Sequence, residues 1–221
     1  MLTALNIFAL LVAYLIGSIP SAVWIGKYFY GVDVREHGSG NAGATNTFRV
    51  LGKAAGLPVL IIDILKGLFA VKLANLAVTD SMSRGDFIEL KLALGIAALI
   101  GHIFPVLASF RGGKGIATLL GISLAIDTES ALFSVAVFLL VFLLTNYVSL
   151  SSIIASFAFP FSLIFVFPAT ISSQILFGFF TCVVVLITHQ KNIERLLRRQ
   201  ETKISLRKKS SSGHLAEDTS D

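Results

Sequence analysis

The sequence is short of charge. Only 14% of its 221 residues are Asp, Glu, Lys or Arg, whereas soluble domains carry about 25%. A soluble domain of this size must cover most of its surface with polar groups, and this chain does not have enough of them. The shortage excludes a soluble enzyme, and a hydrophobic share of 55% excludes a disordered chain. An integral membrane protein remains, in agreement with a mean hydropathy of +0.83.

Cysteine is nearly absent too. Cys182 stands alone in an apolar run, so no disulfide framework can form within the chain. The lone thiol and four scattered histidines also give no metal-ligand pattern, and we expect no metal. No basic surface interleaved with aromatic residues is present, so we expect no nucleic-acid partner.

Long apolar runs are what the sequence has instead. About 20 apolar residues cross a bilayer as one helix, and the runs predict an all-α membrane protein with seven transmembrane helices. The predicted spans are residues 3–24, 52–78, 87–110, 116–126, 131–147, 151–167 and 172–188. They form a single membrane domain over residues 1–204, and the polar tail 205–221 is expected to be disordered.

The fourth span is shorter than the others. Its 11 residues rise only about 17 Å. A re-entrant segment would leave Asp127 and Glu129 deep in hydrocarbon, where each acid costs about 2.5–3.5 kcal/mol. A full span that begins near Gly113, with local thinning of the bilayer, is therefore the prediction.

The positions of the lysines and arginines predict how the chain is oriented in the membrane. Most of the 18 lysines and arginines fall after the first span, before the fourth span and in the C-terminal segment, whereas Arg84 stands in a short loop on the other side. The base-rich side is cytoplasmic, so the N-terminus faces outward and the C-terminus faces the cytoplasm. The tail cluster Arg207, Lys208 and Lys209 is interpreted as a solvated tail near anionic lipid.

Three polar stretches on this cytoplasmic side are not explained by orientation. The first, residues 35–49, is rich in glycine, which lets backbone N–H groups turn toward a ligand. Arg35 and Arg49 add forked cationic donors suited to phosphate. Its neutral hydrogen-bonding side chains are Ser39, Asn41, Thr45 and Asn46. An ordinary polar loop between helices explains the composition equally well.

The second stretch, residues 101–118, places glycines and a lysine directly before the fourth helix. The free N–H groups and the dipole of a helix start favour anions, and Lys114 adds a point charge. The motif is not a Walker A loop, because Ala108 and Gly115 stand where that loop needs glycine and Ser/Thr. A site for a phosphate-like anion is favoured over a plain turn.

The third stretch continues the last helix into the cytoplasm. His189 and Asn192 share one helical face at i, i+3, although an interfacial histidine is more commonly structural. Glu194, five residues after His189, superficially matches an acyltransferase His-x4-Asp box, but the acid is Glu and the rest of the box is absent.

Within the second span, mutual neutralisation explains how Asp63 and Lys66 are tolerated in the membrane.

Together, these stretches resemble the bacterial acyl-phosphate-dependent glycerol-3-phosphate acyltransferase family. The resemblance extends over nearly the whole chain, residues 10–204. The motifs that carry it are Gly17-Ser-Ile-Pro20, Ser39-Gly-Asn-Ala-Gly-Ala-Thr-Asn46 with Arg49, Gly101-His-Ile-Phe-Pro105, Phe110-Arg-Gly-Gly-Lys-Gly-Ile-Ala-Thr118, and His189-x2-Asn192-Ile-x-Arg195-Leu.

The resemblance implies an enzyme of the bacterial inner membrane with its site at the cytoplasmic face. Its reaction would transfer a fatty acyl group from acyl phosphate to the 1-hydroxyl of glycerol 3-phosphate, the first acylation of phospholipid biosynthesis, releasing lysophosphatidic acid and phosphate. It implies no cofactor, and its further partners would be membrane lipid and the enzyme that makes acyl phosphate. The implied catalytic residues are Ser39, Lys114, His189 and Asn192, and the implied phosphate-binding residues are Asn41, Gly43, Thr45, Asn46, Arg49, Arg111, Gly112, Gly113 and Gly115.

Two positions depart from the family pattern. Many members have a basic residue in place of Asn146 and glycine in place of Arg199. The oxyanion donor is open between Lys114 and Asn192, and the base is open between His189 and a phosphate oxygen of the substrate.

Two other functions compete with this interpretation. A small transporter or channel for an anionic solute would hold its substrate near mid-membrane on broken helices, whereas the polar motifs here collect at one interface. A lipid phosphotransferase would need an acidic metal-binding cluster, which the sequence lacks.

Overall fold

All of the regular structure in the described residues is helical. The computed structural model describes residues 4–78 and 82–203, and within them it contains no strand. The predicted tail 205–221 lies outside these residues, as do Arg207, Lys208 and Lys209. In chain order the α-helices are α1 (Ala4–Gly17), α2 (Ser21–Tyr30), α3 (Ala44–Leu51), α4 (Lys53–Lys72), α5 (Arg84–Ile103), α6 (Ile116–Ile126), α7 (Thr128–Thr145), α8 (Val148–Phe165), α9 (Ser172–Thr188) and α10 (Gln190–Leu197).

Several of these helices can cross a membrane by length and composition. Four described stretches qualify alone, Lys53–Leu76, Arg84–Ala108, Thr128–Thr145 and Val148–Phe165. The pairs α1–α2 and α9–α10 are bent by 40° and 65°, and counting each pair as one span gives up to six. The predicted fourth span corresponds to α6, an apolar helix of 11 residues.

The first predicted span is broken, although the sequence suggested one run over residues 3–24. α1 ends at Gly17 and α2 begins at Ser21, with Pro20 in the N-cap position. A proline disfavours helical backbone in the residue before it, so Ile19 cannot continue α1 easily. The break lies between two apolar segments, and hydropathy therefore gave no signal of it.

Close glycine contacts hold α6 against α4. A Cβ atom added at Gly67 would lie 2.3 Å from the carbonyl oxygen of Thr118, and one added at Gly121 would lie 1.9 Å from that of Ile64. Small residues at such crossings let helices in a membrane approach closely. The start of α6 is therefore placed firmly beside the middle of α4.

Large apolar side chains fill the space around this crossing. They come from α4, α5, α6, α8 and α9, and a phenylalanine pair from α8 and α9 meets edge to face with ring centroids 6.4 Å apart. In contrast, α7 turns large apolar side chains outward, as a helix facing lipid does. The buried apolar side chains around the α4–α6 crossing include Val71, Leu99, Leu119, Ile122, Phe159, Leu163, Phe177 and Val185.

Candidate active site

A cavity of about 760 Å³ lies between α3, α4 and the helices α6 to α10. Its polar part brings together residues from all three stretches that the sequence singled out. Arg111, Gly112 and Gly113 do not line it. The predicted residues that do line it are Ser39, Asn41, Gly43, Thr45, Asn46, Arg49, Lys114, Gly115, His189 and Asn192.

Asn46 folds the loop that carries Ser39. Its Nδ2 donates to the carbonyl oxygens of Val34 and His37 at 2.7 and 3.1 Å. Its Oδ1 accepts from the backbone N–H and the hydroxyl of Ser39 at 2.8 and 3.1 Å. Both the Nδ2 and the Oδ1 atoms of this buried amide thus bond the loop that precedes α3, and they set the position of Ser39 at the cavity wall.

The two arginines of the first stretch have different roles. Arg35 grips Asp33 with two nitrogens, Nε to Oδ1 at 3.0 Å and Nη2 to Oδ2 at 2.7 Å, and donates to the carbonyl of Ala108 at 2.9 Å. Its hydrogen bonds hold the pKa of Asp33 well below the usual range. The guanidinium of Arg35 is therefore committed to loop structure, whereas Arg49 on α3 is exposed and lines the cavity.

The glycines before α6 pack against the end of α5. The Gly113 N–H donates to the His102 carbonyl at 3.2 Å, and a Cβ at Gly112 would lie 2.0 Å from that same oxygen. Gly112 and Gly113 therefore serve this packing. The predicted site for a phosphate-like anion involves fewer residues than the glycine-rich motif contains. Gly115, with φ 83°, caps α6 and opens its first turn at the cavity.

Lys114 reaches across the cavity to the third stretch. Its Nζ donates to Oδ1 of Asn192 on α10. Burial lowers the pKa of Lys114 to about 8, against the opposing effect of the Glu201 carboxylate and together with Arg195 and Arg49. A partly dehydrated ammonium group of this kind is a strong partner for an anion that enters the cavity.

His189 stands at the bend between α9 and α10. The chain turns there by 65°, which lets both His189 and Asn192 face the cavity. The Nδ1 atom of His189 lies 2.9 Å from the Val185 carbonyl oxygen. Because a carbonyl only accepts, Nδ1 carries the proton in this contact.

Glu201 is a site residue that sequence reasoning missed. Its Oε1 accepts from Asn192 Nδ2 at 2.6 Å and from Ser149 Oγ at 2.8 Å, and its Oε2 accepts from Arg195 Nε at 2.7 Å. Burial alone would raise the pKa of Glu201, but these donors together lower it. The carboxylate ties the end of the described chain to α8 and α10, beside Lys114. One signal was available, since Glu201 is an isolated acid among basic residues.

The remainder of the cavity is apolar. Its hydroxyl groups on α7, α8 and α9 bond carbonyls of their own helices, as Ser134, Ser152 and Thr181 do at 2.9, 2.8 and 2.7 Å. Such groups add little polarity and occupy little space. The larger side chains that line this part are Leu57, Leu60, Ile64, Leu119, Leu120, Val135, Phe138, Leu139, Phe142 and Phe159.

A cationic polar end joined to an apolar interior suits a ligand with an anionic head group and an apolar chain. Within the described ranges, no group of three or more histidine, cysteine or acidic side chains could hold a metal ion. A family model described as glycerol-3-phosphate acyltransferase matches residues 7–199. The chain therefore belongs to the glycerol-3-phosphate acyltransferase family, as its motifs predicted, and it is an acyltransferase.

Relatives and solved structures agree with this membership. A glycerol-3-phosphate acyltransferase of Enterococcus faecalis is 41% identical over 207 residues, covering 90% of this chain and 92% of the relative. Glycerol-3-phosphate acyltransferase 2 of Bacillus anthracis is 44% identical over 201 residues, covering 90% and 100%.

Two crystal structures of PlsY (YgiH), an integral membrane glycerol 3-phosphate acyltransferase, have the same fold. The glycerol 3-phosphate form has a TM-score of 0.80 at 37% identity, covering 90% of this chain and 96% of its own. The lysophosphatidic acid form has a TM-score of 0.77 at 35% identity, covering 90% and 95%. The likeness supports a multi-pass membrane protein, which is the coarser part of the predicted topology.

Proposed function

We propose that this enzyme transfers a fatty acyl group from acyl phosphate to the 1-hydroxyl of glycerol 3-phosphate, releasing lysophosphatidic acid and inorganic phosphate. The observation that carries the proposal is the single cavity that joins the Ser39, Arg49 and Lys114 region to an apolar interior. The solved relatives were crystallised in glycerol 3-phosphate and lysophosphatidic acid forms, which are a substrate and the product of this reaction.

Two phosphate groups need two cationic centres at one end of the cavity. Arg49 and Ser39, supported by Asn41, Thr45 and Gly43 nearby, form the centre that we assign to the phosphate of glycerol 3-phosphate. Lys114 and the N–H groups at the start of α6, after Gly115, form the other. The Gly112–Gly113 pair acts indirectly in this proposal, by holding the loop that presents Lys114, and Arg111 stands outside the cavity lining.

The acyl group moves in one step. The 1-hydroxyl oxygen attacks the carbonyl carbon of acyl phosphate, the bond from that carbon to the phosphate oxygen breaks, and the hydroxyl proton ends on phosphate. Because acyl phosphate is an activated anhydride, no covalent acyl-enzyme is needed, and positioning the two substrates supplies most of the acceleration. In this proposal Lys114 and the Asn192 amide, which contact each other at the cavity wall, donate to the carbonyl oxygen as it gains negative charge.

His189 is best suited to orienting the acceptor. Its Nδ1 is held by Val185, which fixes the plane of the imidazole at the cavity wall. The departing phosphate is the natural acceptor of the hydroxyl proton, since it forms within reach of that hydroxyl. The acyl chain would lie among α4, α6, α7 and α8, where the cavity is apolar.

The topology and location are part of the proposal. Seven spans, including α6, place the N-terminus outside and the C-terminus in the cytoplasm, so that the cationic end of the cavity faces a cytoplasmic supply of glycerol 3-phosphate. Residues 1–204 form one domain of the bacterial inner membrane, and the enzyme that makes acyl phosphate is its upstream partner.

The decisive experiment uses purified protein in detergent with acyl phosphate and labelled glycerol 3-phosphate, without metal or nucleotide. We expect labelled lysophosphatidic acid and an equal amount of phosphate. Acyl coenzyme A in place of acyl phosphate is the donor control and should give no product. Uptake of labelled glycerol 3-phosphate into vesicles, without product, would favour a transporter and overturn the proposal.

A further inference from the structure

A cluster of buried polar side chains lies beneath the Lys114 loop, and the chemistry above does not use it. Four helices contribute to this cluster, which we call the buried node. Each of its members is less than 10% exposed, and Asp63 and His102 also line the cavity. Its members are Ser21 of α2, Asp63 and Lys66 of α4, His102 of α5 and Thr118 of α6.

One end of the node is anchored at the α1–α2 break. Ser21 Oγ donates to Asp63 Oδ1 at 2.7 Å, and Lys66 Nζ lies 2.9 Å from that same oxygen. Lys66 Nζ also donates to the carbonyl oxygen of Ile19 at 3.0 Å. The carboxylate of Asp63 is thereby fixed, and it lies 3.8 Å from His102 Nδ1.

The other end of the node grips the chain on both sides of Lys114. Before Lys114, the His102 carbonyl accepts the Gly113 N–H at 3.2 Å, and a Cβ at Gly113 would lie 2.3 Å from His102 Nε2. After Lys114, Thr118 Oγ1 lies 3.1 Å from His102 Nδ1. One imidazole therefore contacts both flanks of the segment that carries the ammonium group.

We infer that His102 and Thr118 are positioning residues that set the place of Lys114 during acyl transfer. The inference rests on the role of Lys114 under the proposed function. Neither residue needs to touch substrate. A displacement of about 1 Å in a catalytic group can cost about 100-fold in rate, so a rigid support beneath a flexible lysine has a direct effect on turnover.

A purely structural role predicts a different result. Buried charged clusters contribute little net stability when intact and are costly when broken. If the node only held helices together, weakening it would lower the folded fraction and the affinity for substrate together. If it positions Lys114, turnover per folded molecule falls while glycerol 3-phosphate still binds at the Arg49 centre.

Thr118 offers the cleanest substitution, because a matched pair of variants exists. Thr118→Val removes the hydroxyl and keeps the shape, whereas Thr118→Ser keeps the hydroxyl. We expect kcat of the full-length Thr118→Val enzyme to fall about tenfold or more, with KM for glycerol 3-phosphate nearly unchanged and Thr118→Ser close to wild type. Ser151→Ala is the control, because it removes a buried hydroxyl that bonds only Tyr147 of its own helix turn.

Calorimetric binding of glycerol 3-phosphate and a thermal melt accompany the kinetics. Retained binding with lost turnover supports the inference. Equal kcat in Thr118→Val and Thr118→Ser would overturn it, as would an activity loss that follows the folded fraction. The proposed function fails separately, namely when the wild-type enzyme makes no lysophosphatidic acid.

Discussion

Lys114 is the residue whose charge the proposed mechanism depends on most. Its pKa of about 8 results first from burial, which disfavours the ammonium form, while the Glu201 carboxylate opposes that effect. The ammonium group is therefore present below about pH 8 and lost above it. Activity that needs this charge must decline through the same range.

We predict that kcat/KM falls as the pH rises through about 8, with about a tenfold loss one unit above the pKa. Glu201→Gln should move this decline to lower pH, because the carboxylate that favours the charged form of Lys114 is gone. The measurement is a pH profile of kcat/KM for both enzymes. Any residual activity of Lys114→Arg should lack the decline, since a guanidinium stays charged. An identical profile for Glu201→Gln would show that another group controls it.

Substitutions of Arg49 and Arg35 separate substrate binding from loop stability in the first polar stretch. Arg49→Ala should raise KM for glycerol 3-phosphate about 10–100-fold, the equivalent of about 1.5–3 kcal/mol for a hydrogen bond to a charged group. Arg35→Ala should instead lower the melting temperature, because it releases Asp33 and the Ala108 carbonyl. Steady-state kinetics and thermal melts separate the two. An unchanged KM in Arg49→Ala would remove Arg49 from the phosphate site.

At the scale of elements, the end of α10 explains one departure from the family pattern. The Gln200 N–H donates to the Arg195 carbonyl and the Arg199 N–H to the Leu196 carbonyl, the two bonds of a Schellman motif. Arg199 is its C′ residue and adopts φ 58°. Glycine is preferred at this position, because any other L-residue pays a steric cost of roughly 1–2 kcal/mol there. This turn folds Glu201 back onto Asn192.

We predict that Arg199→Gly raises the free energy of unfolding by about 1 kcal/mol and keeps the activity. Arg199→Val should do the opposite, because a β-branched residue resists left-handed backbone, and it should lose turnover as Glu201 leaves Asn192. Thermal melts and kcat of both variants test this. Equal behaviour of the two variants would mean that the turn does not control the site.

Asn146 shows the same backbone preference without the strain. It caps α7 at φ 60°, a conformation that asparagine tolerates better than most residues. The departure at this position is therefore compatible with the local structure. Asn146 in this position does not disturb the start of α8, where the Ser149 hydroxyl donates to Glu201.

The helices could be predicted to the extent that hydropathy marks them. Four of the long apolar runs were located to within a few residues, because a helix in lipid needs about 20 apolar residues. α3 was missed, since Ala44–Leu51 is short and half polar, and its composition is also that of a loop. The α1–α2 break was missed because a single proline changes the average hydropathy of a long apolar run only slightly.

For the whole molecule, the sequence indicated which polar stretches meet, but not how their residues support one another. Ser39, Lys114 and Asn192 line one cavity, as expected from polar stretches on one predicted side. The support from Asn46, His102 and Glu201 was not predicted, because these side chains bond partners 7, 16 and 9 residues away, and only the folded loops and helix ends bring each pair together. Hydrogen-bond partners across helices follow from packing, which no local pattern encodes.

Whether α6 crosses the membrane decides the topology of the whole molecule. We predict that a cysteine in place of Arg84 or Glu129, both exposed, reacts with an impermeant maleimide on intact cells. A cysteine in place of Leu197 should react only after permeabilisation, because the proposed topology puts α10 in the cytoplasm. Cys182→Ser is the background, since that thiol is the only native one and is buried. A re-entrant α6 would leave the cysteine at position 129 in hydrocarbon, unreactive under both conditions, and would reduce the protein to six spans.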